Sequence, residues 1–167
     1  MNITESTPRA LHVNTNDLPY VDIGDGSSIR LLHADIENGV WVVDTIFKPG
    51  TILQKHKHTG SVHAFTKQGR WKYLEYPEVN TAGSYLFEPA GSIHTLIVPD
   101  ENQEDTVVNF VITGANLYLD SNDQVTMIVD AAAVKFIYDL LAGEKGYSSL
   151  PYVFGGRYGQ SQTTGIS

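Results

Sequence analysis

Residues 50–69 read GTILQKHKHTGSVHAFTKQG. Three of the chain's six histidines, His56, His58 and His63, fall within eight residues of this stretch. Imidazoles titrate near neutral pH and repel one another once charged, so gathering them needs a reason. In a strand, residues i and i+2 point to one face, so His56 and His58 can reach a common point. Thr59, Gly60 and Ser61 have the composition of a turn. Val62 would then start a second strand, with His63 near its beginning and able to face the same interior. A further histidine, His94, lies in EPAGSIHTL (88–96), where Pro89 and Gly91 mark a tight turn. His94, Leu96 and Val98 alternate onto one face. A polar ring on an apolar face needs a partner, because an unpaired buried donor or acceptor costs roughly 1–3 kcal/mol. Together the His-x-His pair, the glycine turn, the third histidine and the distant Pro-x-Gly-x-x-His point to a metal site. His12 and His33 read as hydrogen-bonded core or surface residues.

Working outward, short runs rich in Val, Ile, Thr and aromatics follow one another: SIRLLHADI (28–36), VWVVDTIFKP (40–49), TVVNFVIT (106–113), NLYLD (116–120) and VTMIVD (125–130). Apolar and polar residues alternate, and Gly, Pro, Asn and Asp separate the runs. This predicts an all-β sandwich or barrel over 28–129, preceded by an irregular arm, 1–27. No βαβ unit is visible, which excludes a doubly wound nucleotide fold. DAAAVKFIYDLLAGEKG (130–146) breaks the pattern. Asp130 reads as an N-cap and Gly143 as a stop, with Val134, Phe136, Ile137, Leu140 and Leu141 at helical spacing. The expectation is one helix over 130–143 whose apolar face covers the outside of a sheet; a partner-binding helix is the alternative. In the tail, 144–167, the aromatics Tyr147, Tyr152, Phe154 and Tyr158 predict that part of it packs down. There is no internal repeat.

The chain has 167 residues, 41% of them apolar, which fits a single domain with a real core. Its net charge of −8 argues against nucleic acid and against an anionic membrane surface as partners. It has no cysteine, so a disulfide, a thiolate zinc site, an iron–sulfur cluster and a cysteine nucleophile are all excluded, and any metal must take nitrogen and oxygen ligands. MNITESTPRALHVNTND at the start lacks the apolar core of a secretion signal, and no run approaches a membrane span. A cytoplasmic protein is expected. A homodimer, paired through an edge strand or the N-terminal arm, is expected as well.

Two spacings resemble a known family. Gly50-x5-His56-x-His58-x4-His63-x5-Gly69 is similar to the first cupin motif, which usually carries Glu where this chain has His63. Gly83-x5-Pro89-x-Gly91-x2-His94 is similar to the second, which often continues to an Asn where this chain has Val98. The resemblance implies the cupin fold, a double-sheet jelly-roll β-barrel (a double-stranded β-helix) with a metal inside. GSVHAFTKQGRWKYLEYP and AGSYLFEPAGSIHTL further resemble the 2,4'-dihydroxyacetophenone dioxygenase branch and, more distantly, the acetylacetone-cleaving oxygenase. Those relatives hold non-haem Fe(II) with three histidines, which implies His56, His58 and His94 as ligands. His63 is then either a fourth ligand or a group beside the metal that orients a ligand or substrate; the three-histidine relatives favour the second.

Three imidazoles would leave the full +2 charge on a divalent metal, with open positions for an oxygen-rich chelate. The implied reaction is oxidative carbon–carbon cleavage of a small hydroxyketone or β-diketone, an aromatic ketone in particular, with O2 as co-substrate. Fe(II) is the favoured ion, and a recombinant preparation can carry Zn or Ni instead, because a three-imidazole site binds several divalent ions. The competing readings are a non-catalytic metal- or ligand-sensing cupin and a redox-neutral metal-dependent isomerase. Gln54, on the strand face expected for His56 and His58, and Glu88, ahead of the Pro89 turn, are candidate supporting residues; Glu88 would orient a histidine or gate the mouth. Trp41, Phe47, Phe65, Trp71 and Tyr73 are candidates for an aromatic-friendly pocket, with core packing the simpler reading of each.

Overall fold

The computed structural model describes residues 10–158. The chain forms β1 (Val21–Asp22), β2 (Ser27–Asp35), β3 (Val40–Phe47), β4 (His56–His58) and β5 (Val62–Gln68). Short strands follow: β6 (Arg70–Tyr73), β7 (Val79–Thr81), β8 (Tyr85–Glu88), β9 (Ile93–His94) and β10 (Leu96–Ile97). Then come β11 (Thr106–Thr113), β12 (Asn116–Leu119), β13 (Val125–Val129), helix α1 (Ala131–Glu144), β14 (Val153–Phe154) and β15 (Arg157–Tyr158). The large sheet runs β15-β14-β2-β3-β11-β5-β8, with β1 on β2; a second runs β13-β12-β4-β9 and a third β10-β6-β7. Pairing is antiparallel apart from β14 against β2. This is the all-β barrel with one helix that the sequence predicts.

Strict alternation builds the interior. In β11, Thr106, Val108, Phe110 and Ile112 are buried while the residues between them face outward. Trp41, Val43 and Phe47 from β3 and Leu31 from β2 meet them to form the core. The outer face of the same sheet is stitched by Asp44, which is fully buried and accepts from Arg30 Nη2 (2.8 Å), Lys67 Nζ (2.7 Å) and Asn109 Nδ2 (2.9 Å). One carboxylate thus joins β2, β3, β5 and β11.

Glycine permits the turn between β4 and β5. A Cβ on Gly60 would lie 2.2 Å from the Thr113 carbonyl oxygen, so any larger residue would push the two chains apart. That turn holds the histidine strand against the end of β11.

Asp130 caps α1 as expected, its Oδ1 accepting from the Ala132 and Ala133 amides at 3.0 and 2.9 Å. The buried face differs from the predicted one. Ala131, Val134, Tyr138 and Ala142 are buried, whereas Phe136 is 68% and Leu140 51% exposed. Two alanines let the helix lie close to β1 and β2, and Tyr138 is accommodated because its hydroxyl donates to the Pro19 carbonyl at 2.8 Å. Hydrophobicity alone marks Phe136 as a better core residue than Tyr138; the polar partner reverses that choice.

The arm and tail are more ordered than their composition implies. Leu18 and Val21 are buried, and β1 pairs with β2. Tyr152 is buried with its hydroxyl on Asp139 at 2.8 Å, and His33 Nε2 donates to the Gly155 carbonyl at 2.8 Å, tying β14 to β2. Residues 1–9 and 159–167, the outer parts of the expected arm and tail, lie outside the described residues.

Candidate metal centre

β4 lies between β12 and β9, and its register decides what the histidines meet. His56 is directly opposite His94 on β9 and opposite Tyr118 on β12; His58 is opposite Asn116. Opposed residues of an antiparallel pair share a face, so these five side chains project to the same side. His56, His58 and His94 are all buried. Their ring centroids form a near-equilateral triangle, 4.9, 5.0 and 5.0 Å on a side, and their ligand atoms all lie within 4.8 Å of one another.

Hydrogen bonds aim the rings. His56 Nδ1 is 2.9 Å from the Gln54 carbonyl oxygen. A carbonyl only accepts, so Nδ1 carries the proton and Nε2 keeps its lone pair. Burial, reinforced by the neighbouring His58 and His94, lowers the His56 pKa to about 4 against the opposing pull of that hydrogen bond. The ring is therefore neutral, as a metal ligand must be, at neutral pH.

Glu88 completes the cluster. It is 3% exposed, and its Oε2 lies 2.8 Å from His58 Nε2 and 3.2 Å from His94 Nε2, which are themselves 3.1 Å apart. Tyr73 donates its hydroxyl to Glu88 Oε1 and stacks its ring on His94 at 3.7 Å. Burial works against the Glu88 carboxylate, but the His58 and His94 imidazoles outweigh it and hold the group well below the ordinary carboxylate range. Burial and the Glu88 charge push the Tyr73 hydroxyl well above its usual value, so it remains a donor.

These residues fit a divalent cation. Two donors at right angles, each about 2.1 Å from an ion, stand about 3.0 Å apart, which is the spacing found between the two Nε2 atoms and Glu88 Oε2. Despite that proximity, Glu88 Oε2 has no properly directed hydrogen bond. A carboxylate oxygen and two ring nitrogens packed this closely need a shared proton or a cation among them.

His63 is not part of this group. β5 alternates with Val62 and Ala64 inward, so His63 faces outward, where its Nδ1 is 2.8 Å from the Tyr85 hydroxyl and its ring packs on Phe87. The expectation that His63 lies on or beside the metal is corrected by this parity: position 62 faces the site, and it holds valine. Gln54 is corrected too. It lies outside β4, is exposed, and spends its side-chain nitrogen on the Leu119 carbonyl (2.8 Å) and Thr126 Oγ1 (3.0 Å); its backbone carbonyl is what serves the site. Among the aromatics, Phe65 is 45% exposed on the outer face, Trp71 is core, and Tyr73 touches the cluster.

Two cavities flank the cluster. One, of about 340 Å³, opens on the side of His94, Glu88, Tyr73 and Ser92. The other, also about 340 Å³, lies inside the barrel between the large sheet and β12–β13, with Trp41, Phe47 and Phe110 in its wall and Ile137 and Leu141 of α1 closing it. Asn116 and Tyr118 line it as well, and the Tyr118 ring lies 5.6 Å from that of His56. Sequence reading missed both residues; their only local signal is the inward parity of NLYL.

A jelly-roll barrel with a buried histidine triad defines a cupin with a candidate metal site. More narrowly, the chain belongs to the ChrR cupin-like domain family, whose model matches residues 8–116. It is similar to a crystallised protein of unknown function with a cupin-like fold from Ralstonia eutropha JMP134: 33% identity over 93% of this chain and 98% of that one, TM-score 0.83. An RmlC-like cupin from the same organism is 23% identical over 96% and 97% of the chains, TM-score 0.77. An acetylacetone dioxygenase from Acinetobacter johnsonii shares the fold at 17% identity over 84% and 97%, TM-score 0.69. No curated protein matches the chain. No helix among the described residues is long and apolar enough to cross a membrane.

Proposed function

We propose that this chain is a non-haem Fe(II) dioxygenase that cleaves a carbon–carbon bond of a small hydroxyketone or β-diketone, an aromatic ketone in particular. The observation that carries the reading is the convergence of three buried imidazoles and one carboxylate beside a cavity with apolar walls. Fe(II), when bound, supplies Lewis acidity toward an enolate and a meeting place for the enolate and O2. His56, His58 and His94 would hold it. The Gln54 carbonyl fixes the His56 ring, and Tyr73 fixes both the His94 ring, by stacking, and Glu88, by its hydrogen bond. Glu88 offsets part of the +2 charge that three imidazoles alone would leave. The depth of all four side chains keeps bulk water from the reacting centre. The partners in this reading are the ketone, O2 and a second copy of the chain as a homodimer. The A. johnsonii dioxygenase, alike in fold, lends the reaction class.

The test is O2 uptake by protein reconstituted anaerobically with Fe(II) and offered a panel of aromatic hydroxyketones and β-diketones. Stoichiometric uptake with fragmentation of one ketone is expected, and none with zinc-loaded protein. Iron-loaded protein that consumes no O2 with any member of the panel overturns the reading.

A further inference from the structure

Asn116 opens β12, stands opposite His58 and is 7% exposed. Its Oδ1 is buried without a hydrogen-bond partner, and among the described residues with such an atom Asn116 is the one that lines the internal cavity. Tyr118, two residues along on the same face, is the neighbour with which the Asn116 side chain interacts. Two other polar groups at this cavity are engaged: the Gln54 nitrogen holds Leu119 and Thr126, and Ser27 Oγ donates to Asp25 at 2.5 Å. Most of the remaining wall is apolar, with Ile29, Trp41, Phe47, Leu53, Phe110 and Ile112 around the space. An apolar cavity of roughly 150 Å³ already accepts benzene, so about 340 Å³ has room for a substituted ring.

We propose that the internal cavity binds a compact, ring-sized apolar ligand carrying a hydrogen-bond donor, and that Asn116 Oδ1 accepts from that donor. A buried acceptor discriminates strongly, because a ligand lacking the donor leaves it unpaired. Asn116 is thus a specificity-determining residue, one strand away from the histidine cluster. The inference rests on the function proposed above only in taking a small molecule as the occupant of the barrel; it needs no iron and no turnover.

Phenol and toluene are matched probes, equal in shape and differing by hydroxyl for methyl. Trp41 lines the cavity while Trp71 is core, so tryptophan emission reports occupancy. The full chain, zinc-loaded so that no redox chemistry intervenes, should bind phenol at least as tightly as toluene. Asn116→Leu should weaken phenol about tenfold or more and leave toluene within about threefold, a selective loss of one hydrogen bond. The phenol preference should survive removal of the metal by a chelator. Wild-type protein that binds toluene but rejects phenol, or binds neither, overturns the proposal without the variant having to fold. Equal weakening of both probes in Asn116→Leu overturns it as well, since that marks a packing role. So does a preference that vanishes on chelation, since the metal would then be reading the hydroxyl. O2 uptake is measured separately, so failure of the dioxygenase reading leaves this result standing.

Discussion

Tyr73→Phe removes one oxygen atom from the support of the candidate metal centre. Tyr73 is 3% exposed and stacks on His94 with centroids 3.7 Å apart, and phenylalanine keeps that ring contact. What disappears is the hydroxyl that donates to Glu88 Oε1. A hydrogen bond to a charged group is worth about 1.5–3 kcal/mol, and here its loss strands a carboxylate oxygen with no access to water. Metal-free protein should therefore lose about 2 kcal/mol in urea unfolding, or about 4–8 °C in Tm for a chain of this size. Metal affinity, read by competition with a coloured chelator, should fall about 10- to 100-fold, because a group that orients a donor without touching the ion typically has that effect. Tyr73→Leu also removes the stack on His94 and should lose more in both measurements. If Tyr73→Phe matches wild type in stability and in metal affinity, Glu88 does not depend on Tyr73 and the proposed support is wrong.

His94→Ala removes a donor that is 1% exposed and in direct register with His56, and metal analysis of the purified variant should find most of the ion gone. His63→Ala, by contrast, alters only the outward-facing contacts with Tyr85 and Phe87, and its metal content and O2 uptake should stay within about twofold of wild type, the change in stability remaining below about 1 kcal/mol. Burial works against ionisation of Asp44, but hydrogen bonds from Lys67, Arg30 and Asn109 outweigh it, so its folded pKa lies below the unfolded value of about 3.9. Its contribution is then fully present above about pH 4 and is lost as pH falls through the lower folded pKa; Asp44→Asn should reduce stability at pH 7 by about 3 kcal/mol and flatten the acid limb of a stability–pH profile.

Local pattern was enough for much of this protein. The alternation in TVVNFVIT, the cap and stop around AAAVKFIYDLLAG, and the two glycine-bounded histidine spacings specify the barrel, the helix and the triad, because each depends on residues close together in the chain. Gly50, Gly69, Gly83 and Gly91 all have positive φ, which is why those spacings are written in glycine. The i, i+2 relation of His56 and His58 is likewise local. What tertiary structure decided is side-chain parity across turns and pairing between distant strands. A shift of one residue in the turn after His58 reverses every side chain of β5, and the turn as built sends Val62 inward and His63 outward. For Glu88 the segment alone offers only the alternatives of orienting a histidine or gating the mouth, and it is β8 that carries it to His58 and Tyr73, fifteen residues and more away. Asn116 and Tyr118 reach the histidines only because β12 lies beside β4, a pairing across about sixty residues that leaves no mark on either segment alone. Strand pairing is made by backbone hydrogen bonds common to all residues, so sequence announces which segments are strands far more clearly than which strands will be neighbours.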